Sequence, residues 1–151
     1  MSTQDNSNVV KQLFNFYNLN NQSQLNSCDG FFSSNAKFHD PAMQSMFNGK
    51  TSIQTMKQAE SEYIKAFPNK STKIDTIFAS GDNVAVCWTS TATHKGPFQG
   101  FPASNKPIKV TGVSIYRFNN GKIEEVWQVW DRATLMEQIG ALQPQQMRAA
   151  A

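Results

Sequence analysis

Residues 119–131 read NNGKIEEVWQVWD, and this stretch decides the fold. Asn119-Asn120-Gly121 is typical of a tight hairpin turn, because Asn and Gly tolerate the backbone angles that such turns require. After the turn, side chains alternate in a period of two, which predicts a strand over Lys122–Asp131. Arg132 to Ile139 then predicts a short closing helix, and Gly140 is a typical C-terminal stop.

Three more segments upstream of this hairpin show the same period of two. They run over Thr72–Ser80, Asn83–His94 and Ile108–Asn119, and Gly81-Asp82 joins the first two as a second tight turn. Consecutive strands joined by short turns pair antiparallel. The second half of the chain therefore predicts an antiparallel sheet.

The first half of the chain has a helical period instead. Apolar residues recur from Val9 to Tyr17 behind Asn8, a plausible cap, and again in a helix that opens at Thr51 or Ser52 and stops at Pro68. A further short helix is predicted over Leu25–Phe32, and a short strand over residues 36–40. Helices followed by strands indicate the α+β class: a curved antiparallel sheet wrapped around the N-terminal helices, which leaves a conical pocket.

Length and composition limit the classes of function. The 151 residues suit one domain over 1–151, with polar ends at 1–7 and 143–151 that we expect to be flexible. A net charge of +3 without a basic run argues against a nucleic-acid partner, and no apolar run is long enough for a membrane span. The start of the chain lacks the pattern of a signal peptide, so we expect a cytoplasmic location.

The chain is poor in metal-binding residues. It holds two Cys, Cys28 and Cys87, and two His, with no metal-type spacing between them. We therefore expect both thiols to be reduced and no metal site to be present.

Alternation in two strands selects the candidate site residues. In the strand from Asn83, one face carries Trp88 and ends on His94; in the last strand, Glu125, Trp127 and Asp131 share a face. Two acids on an otherwise apolar face are unusual, because burying a carboxylate without a partner is costly. The alternatives are that Glu125 pairs with Arg117 across the hairpin, and that Asp131 caps the closing helix.

The residues also resemble a known family. The segment from Trp88 through His94, Gly96, Phe98, Gly100 and Pro102, then Gly121-Lys122-Ile123, Trp127 and Asp131, then Leu135, Gln138 and Gly140, is similar to the motifs of SnoaL-like polyketide cyclases. These belong to the nuclear-transport-factor-like superfold of sheet and helices, which hosts unrelated functions.

The resemblance implies an intramolecular aldol-type ring closure of a polyketide ester, with no metal or organic cofactor. By this resemblance Asp131 is the catalytic acid/base and His94 lines the same pocket. An Asp beside Trp127 in an apolar cavity would have a raised pKa, as such chemistry at neutral pH needs. The implied partners are a small hydrophobic molecule and a second copy of the chain in a homodimer.

A competing site is the pair His39-Asp40 at the end of the first strand. Phe38 and Asp40 share a face, which favours Asp40 as the inward residue, while His39 remains a candidate at the pocket mouth. An Asp before Pro resembles the base of ketosteroid isomerase, which also needs an oxyanion pair of Tyr and protonated Asp. Tyr17 is a candidate for the Tyr, but no acid completes the pair. The alternative is a turn in which Asp40 bonds nearby backbone groups.

The same sequence features fit two further functions. The same pocket would suit a non-catalytic protein that binds a small apolar ligand. It would also suit a hydrolase or dehydratase, which needs a water molecule beside the acid.

Overall fold

The computed structural model describes residues 2–143, so most of the tail expected to be flexible, residues 144–151, lies outside the described part. The described residues form four α-helices, one 3₁₀-helical segment and five strands. In chain order these are α1 Thr3–Tyr17, the 3₁₀ segment Gln22–Gly30, β1 Phe32–His39, α2 Pro41–Met46, α3 Ile53–Ala66, β2 Ser71–Ser80, β3 Asn83–Thr93, β4 Pro107–Asn119, β5 Lys122–Trp130 and α4 Arg132–Gln138.

Helix α1 begins earlier than its apolar pattern predicts. Ser2, not Asn8, is the N-cap: its hydroxyl accepts a hydrogen bond from the Asp5 backbone N–H at 3.2 Å, and the Asp5 carboxylate accepts one from the Ser2 N–H at 3.0 Å. This reciprocal capping box satisfies two backbone donors at the helix start. Asn6 and Ser7, within the segment expected to be flexible, are buried. None of the described helices is long and apolar enough to cross a membrane.

The sheet has the order β1-β5-β4-β3-β2. Strands β2 to β5 pair antiparallel, as the turns predict, but β1 pairs parallel to β5. The expectation of a purely antiparallel sheet is therefore wrong at one edge, and the sheet is mixed. Parallel neighbours need a long connection between them, and the two helices and three strands between β1 and β5 provide it.

One face of the sheet is covered by the helices. Val84, Val86 and Trp88 of β3 point to this face and are buried, as the alternation of β3 predicts. Helices α1 and α3 and the 3₁₀ segment pack on it, and the core extends from Val10 and Leu13 through the sheet to α4. The α+β class is thus confirmed, with the helices forming the second layer.

A β-bulge in β5 changes which of its residues face the core. Arg117 of β4 lies opposite Glu125 and Phe118 lies opposite Ile123, so the Glu124 position is an extra residue in β5. An extra residue reverses the alternation beyond it. Val126, Gln128 and Trp130 consequently face inward, and Glu125, Trp127, Val129 and Asp131 face outward, which is the reverse of the predicted assignment.

Candidate functional site

A cavity of about 160 Å³ lies between the inner face of the sheet and the helices. Most of its wall is aromatic and aliphatic, with a few polar side chains, as small-molecule sites usually are. Its polar and aromatic lining residues include Tyr17, Asp40, Glu60, Tyr63, Lys70, Thr72, Trp88, Ser90, Tyr116, Gln128 and Trp130.

Asp40 is one of two acids in the cavity wall, the other being Glu60. It follows the last residue of β1 and is the N-cap of α2, with Pro41 at the first helical position. Its Oδ1 accepts a hydrogen bond from the Met43 backbone N–H at 3.1 Å, and its Oδ2 accepts one from Gln128 Nε2 at 3.0 Å. Desolvation raises the pKa of Asp40, and these hydrogen bonds oppose the rise only in part.

A series of hydrogen bonds runs across the sheet from Trp88 on β3 to Asp40 at the end of β1. Trp88 Nε1 donates to Ser114 Oγ at 3.0 Å, Ser114 Oγ donates to Gln128 Oε1 at 2.9 Å, and Gln128 Nε2 donates to Asp40. Each link donates toward the carboxylate. These hydrogen bonds orient the Gln128 amide so that its NH2 group, and not its oxygen, points to Asp40.

Three tyrosines line the cavity: Tyr17, Tyr63 and Tyr116. Tyr63 makes an edge contact with Trp130 at 6.0 Å between ring centroids. Burial raises the pKa of Tyr63 well above its ordinary value, and the charges of Asp40 and Glu60 add to the rise. Tyr17 lies in the wall as predicted, and its hydroxyl donates to Met56 Sδ at 3.4 Å. Burial, then the charge of Glu60, raise the pKa of Tyr17.

A second polar group in the wall is the ion pair of Glu60 and Lys70. Lys70 Nζ contacts Glu60 Oε1, and the two side chains are only 14% and 11% exposed for Lys70 and Glu60. Near them, the hydroxyls of Thr72 and Ser90 are hydrogen-bonded at 2.9 Å. The cavity wall therefore holds two carboxylates, at Asp40 and Glu60, and one ammonium, at Lys70.

The prediction that Asp131 lies in the pocket is wrong in this structure. The Asp131 carboxylate is exposed and caps α4: Oδ1 accepts from the Thr134 backbone N–H at 3.0 Å and Oδ2 from Thr134 Oγ1 at 2.6 Å. It is absent from the cavity wall. The bulge in β5 explains the error, because it turns the face of Asp131 outward. The contacts of Asp131 are those of a helix cap, the alternative to a catalytic role.

Glu125 and Trp127 also lie outside the cavity, for the same reason. Glu125 accepts hydrogen bonds from Arg117 and His39, which lower its pKa in that order of strength, as the alternative pairing anticipated. Trp127 is 38% exposed and stacks on the His39 ring at 5.2 Å. His39 borders the cavity, but its ring faces outward toward these two partners.

His94 is fully buried but does not line the cavity. Its Nδ1 accepts a hydrogen bond from the Ser104 backbone N–H at 3.2 Å, and its ring packs on Phe67 at 5.4 Å. Desolvation lowers the pKa of His94. Phe67 lines the cavity and packs on His94, so the prediction that His94 lines the cavity is wrong. Trp88, in contrast, lines the cavity as predicted.

Sequence reasoning missed Glu60, Lys70 and Gln128. Glu60 lies among the apolar residues whose spacing predicts α3, so that pattern does not single it out. Lys70 lies between the end of α3 and the start of β2. Gln128 alternates with Trp127, so a regular strand would place it on the face opposite the predicted site, and the bulge that reverses the faces has no signature in the alternation. Among residues 2–143, no group of His, Cys, Asp and Glu side chains is placed to hold a metal ion.

Comparisons with known proteins agree with this architecture. The sequence profile of the SnoaL-like polyketide cyclases matches residues 8–139. No curated protein matches the sequence. Solved structures with the same fold include AclR from Streptomyces galilaeus, a candidate hydroxylase, at 24% identity and a TM-score of 0.80 over 94% of this chain and 100% of that one.

Two further structures are similar. TsrD from Streptomyces laurentii has 21% identity and a TM-score of 0.77 over 94% of this chain and 99% of that one. A SnoaL-like polyketide cyclase from Agrobacterium tumefaciens has 16% identity and a TM-score of 0.67 over 89% and 98%. At these identities the likeness shows a shared fold.

Proposed function

The chain belongs to the SnoaL-like polyketide cyclase family, and we propose that it is a cofactor-independent enzyme that transfers protons on an apolar carbonyl compound, with Asp40 as the acid/base. The observation that carries this proposal is a carboxylate, 8% exposed, in the wall of an apolar cavity. Burial raises the pKa of Asp40, and a raised pKa makes a carboxylate a stronger base once it is ionised.

The hydrogen bonds of Asp40 leave other acceptor positions of its carboxylate unoccupied. An ionised carboxylate has about four acceptor positions. The Met43 N–H and the Gln128 amide occupy one on each oxygen, which holds the plane of the group in place. The remaining positions can accept a proton from a ligand in the cavity. A base held by partners outside the reacting pair is already oriented for the proton transfer.

The chemistry that suits this arrangement begins at a carbon next to a carbonyl. Asp40 takes the proton from that carbon as the C–H bond breaks, and the electron pair moves to the carbonyl oxygen to give an enolate. For a ring closure, the enolate carbon forms a bond to a second carbonyl of the same molecule. The protonated Asp40 then returns its proton to the alkoxide so formed, so no cofactor is consumed.

A non-catalytic ligand-binding role is the second candidate, and one contact favours it. The Asp40 carboxylate caps α2, which provides a structural reason for an Asp at this position. Under this alternative the cavity binds the apolar molecule and Asp40 only stabilises the helix.

Proton exchange on a small apolar ketone separates these two functions. We expect the protein to accelerate exchange of the α-protons of β-tetralone in D2O, measured by NMR. Asp40→Asn keeps an oxygen to cap α2 and should lower the catalysed rate roughly 10²–10⁴-fold, the usual contribution of a general base. Quenching of Trp88 and Trp130 fluorescence in the cavity wall reports whether the ketone still binds. Binding with equal exchange in the wild type and Asp40→Asn would exclude Asp40 as the base.

A further inference from the structure

Lys70 is an unusual residue for the wall of an apolar cavity. Its ammonium group contacts Glu60 and lies 6.0 Å from the ring centroid of Tyr17 and 5.8 Å from that of Tyr63. A buried ion pair adds little to stability, because removing both charges from water costs about as much as their attraction returns. The pair is therefore poorly explained as a stabilising contact.

The position of Lys70 is held through its backbone. Its N–H donates to the Phe67 carbonyl at 3.0 Å, and its carbonyl accepts a hydrogen bond from Asn20 Nδ2 at 2.8 Å. An ammonium group has three N–H donors. Within residues 2–143, Glu60 is the one hydrogen-bond acceptor of Lys70 Nζ, so two donors are available to a ligand in the cavity.

Lys70, Asp40 and Tyr63 all lie in the wall of the same cavity. Tyr63 contacts the Lys70 ammonium with its ring, and the charge of Asp40 contributes to the raised pKa of the same tyrosine. A ligand that lies against Tyr63 and Trp130 therefore has both a base and a cation in the wall of the same cavity. This is the arrangement that enolate formation requires, since the proton leaves to one group while charge develops toward the other.

We infer that Lys70 binds the carbonyl oxygen of the ligand and stabilises the negative charge that forms on it. This inference rests on the proposed function, and it supplies the oxygen-stabilising group that the sequence did not reveal. The ligand class it defines is an apolar molecule with a neutral carbonyl that becomes an enolate.

Charge balance in the cavity selects a neutral carbonyl over a permanent anion. Asp40 and Glu60 are two carboxylates against one ammonium, so a carboxylate ligand would add a third negative charge in a poorly solvated space. When Asp40 takes a proton from a neutral ketone, the negative charge moves from Asp40 to the ligand oxygen. The net charge of the cavity then stays constant while the ion moves next to Lys70.

The test uses para-nitrophenol, whose visible absorbance distinguishes the phenolate from the neutral phenol. We expect the wild type to bind it as the phenolate with the phenol's proton on Asp40, so that the net charge of the cavity stays constant, as it does for the ketone. Lys70→Met should weaken phenolate binding roughly 10- to 100-fold, the loss expected for one hydrogen bond to a charged group. Lys70→Arg, which keeps the positive charge, should bind the phenolate better than Lys70→Met does.

Two controls make the result decisive. Lys73→Met removes a lysine that is 81% exposed and should leave binding unchanged. The double variant Glu60→Gln/Lys70→Met avoids a lone buried carboxylate, so its loss of phenolate binding would not come from misfolding. A wild type that binds only neutral phenol, or does not bind the probe, would overturn the inference, as would equal phenolate binding in Lys70→Met and Lys73→Met.

The same probe separates this inference from the proposed function. Asp40→Asn removes a negative charge from the cavity and should retain or strengthen phenolate binding. If Asp40→Asn leaves proton exchange on β-tetralone unchanged while Lys70→Met loses the phenolate, the proposed base is wrong and the oxygen site stands. The reverse pair of results overturns the oxygen site alone.

Discussion

Asp40 and Asp131 have nearly the same local structure at the ends of two neighbouring parallel strands. Each follows the last residue of its strand, caps the next helix, and accepts a hydrogen bond from the backbone N–H three residues later, at 3.1 Å and 3.0 Å. Their second oxygens differ: that of Asp40 meets the Gln128 amide at the cavity, and that of Asp131 meets the Thr134 hydroxyl in solvent. Local hydrogen bonding makes both residues helix caps, and burial alone makes one of them a candidate base.

The largest expected difference between the two caps is in proton transfer. Asp40→Asn should lower α-proton exchange roughly 10²–10⁴-fold, and Asp131→Asn should leave it unchanged, because only Asp40 reaches the cavity. The NMR exchange rate on β-tetralone measures both variants. A comparable loss in Asp131→Asn would reverse the comparison and restore the role that the family resemblance implies for Asp131.

The second-largest expected effect comes from a substitution that alters the surroundings of Asp40 and leaves Asp40 itself unchanged. A Cβ at Gly112 would lie 2.3 Å from Trp88 Cζ2, so Gly112→Ala must displace the indole that begins the hydrogen-bond chain to Asp40. We expect a loss of about 1–3 kcal/mol in the free energy of unfolding, the usual cost of overpacking, together with slower exchange. Val113→Thr, at an exposed neighbour, is the control and should unfold like the wild type in urea.

A smaller effect tests Asp131 as a purely structural cap. Asp131→Ala should lower the free energy of unfolding by about 1 kcal/mol, while Asp131→Asn, which can still cap α4, should lower it far less. Exchange activity should be the same in both variants. Chemical denaturation gives the stability, and a change in activity that exceeds the change in folded fraction would show that the cap serves the site.

The smallest effect is the contribution of Asp40 to the pH dependence of stability. The folded-state pKa of Asp40 is raised by desolvation, so the folded protein binds this proton more tightly than the unfolded chain. The contribution of Asp40 is therefore most favourable below the unfolded pKa and falls as the pH rises through the folded pKa. Subtracting the urea-unfolding profile of Asp40→Asn from that of the wild type should show this fall; a difference that instead grows with pH would mean that the hydrogen bonds outweigh burial.

The strands of the second half were predictable because their turns and alternation are local signals. Asn120 and Gly121, both at positive φ, close the last hairpin as their residue types predict, and the strand bounds agree with the structure within a residue or two. The inward face of β3 followed from the same alternation. Helix α2 escaped prediction because its six residues are too few to show a helical period.

The site was less predictable, because its residues come together only through the fold. Phe38 and Asp40 share the inward face, as alternation in β1 predicts, although the resemblance favoured Asp131. Glu60 and Lys70 are ten positions apart and meet only because the chain turns back after α3. No pattern among neighbouring residues predicts the contact between Glu60 and Lys70.

The sequence by itself determined the class of fold, the order of helices and strands apart from α2, and the pairing of β2 to β5, since turn residues and side-chain periodicity act over a few neighbouring positions. The tertiary structure decided which Asp faces the cavity. A single extra residue in β5 reverses its faces, and the parallel pairing of β1 with β5 brings Gln128 to Asp40. Alternation shows that successive side chains point to two opposite faces of a strand, but it does not show which face is buried. Packing against the rest of the molecule decides that.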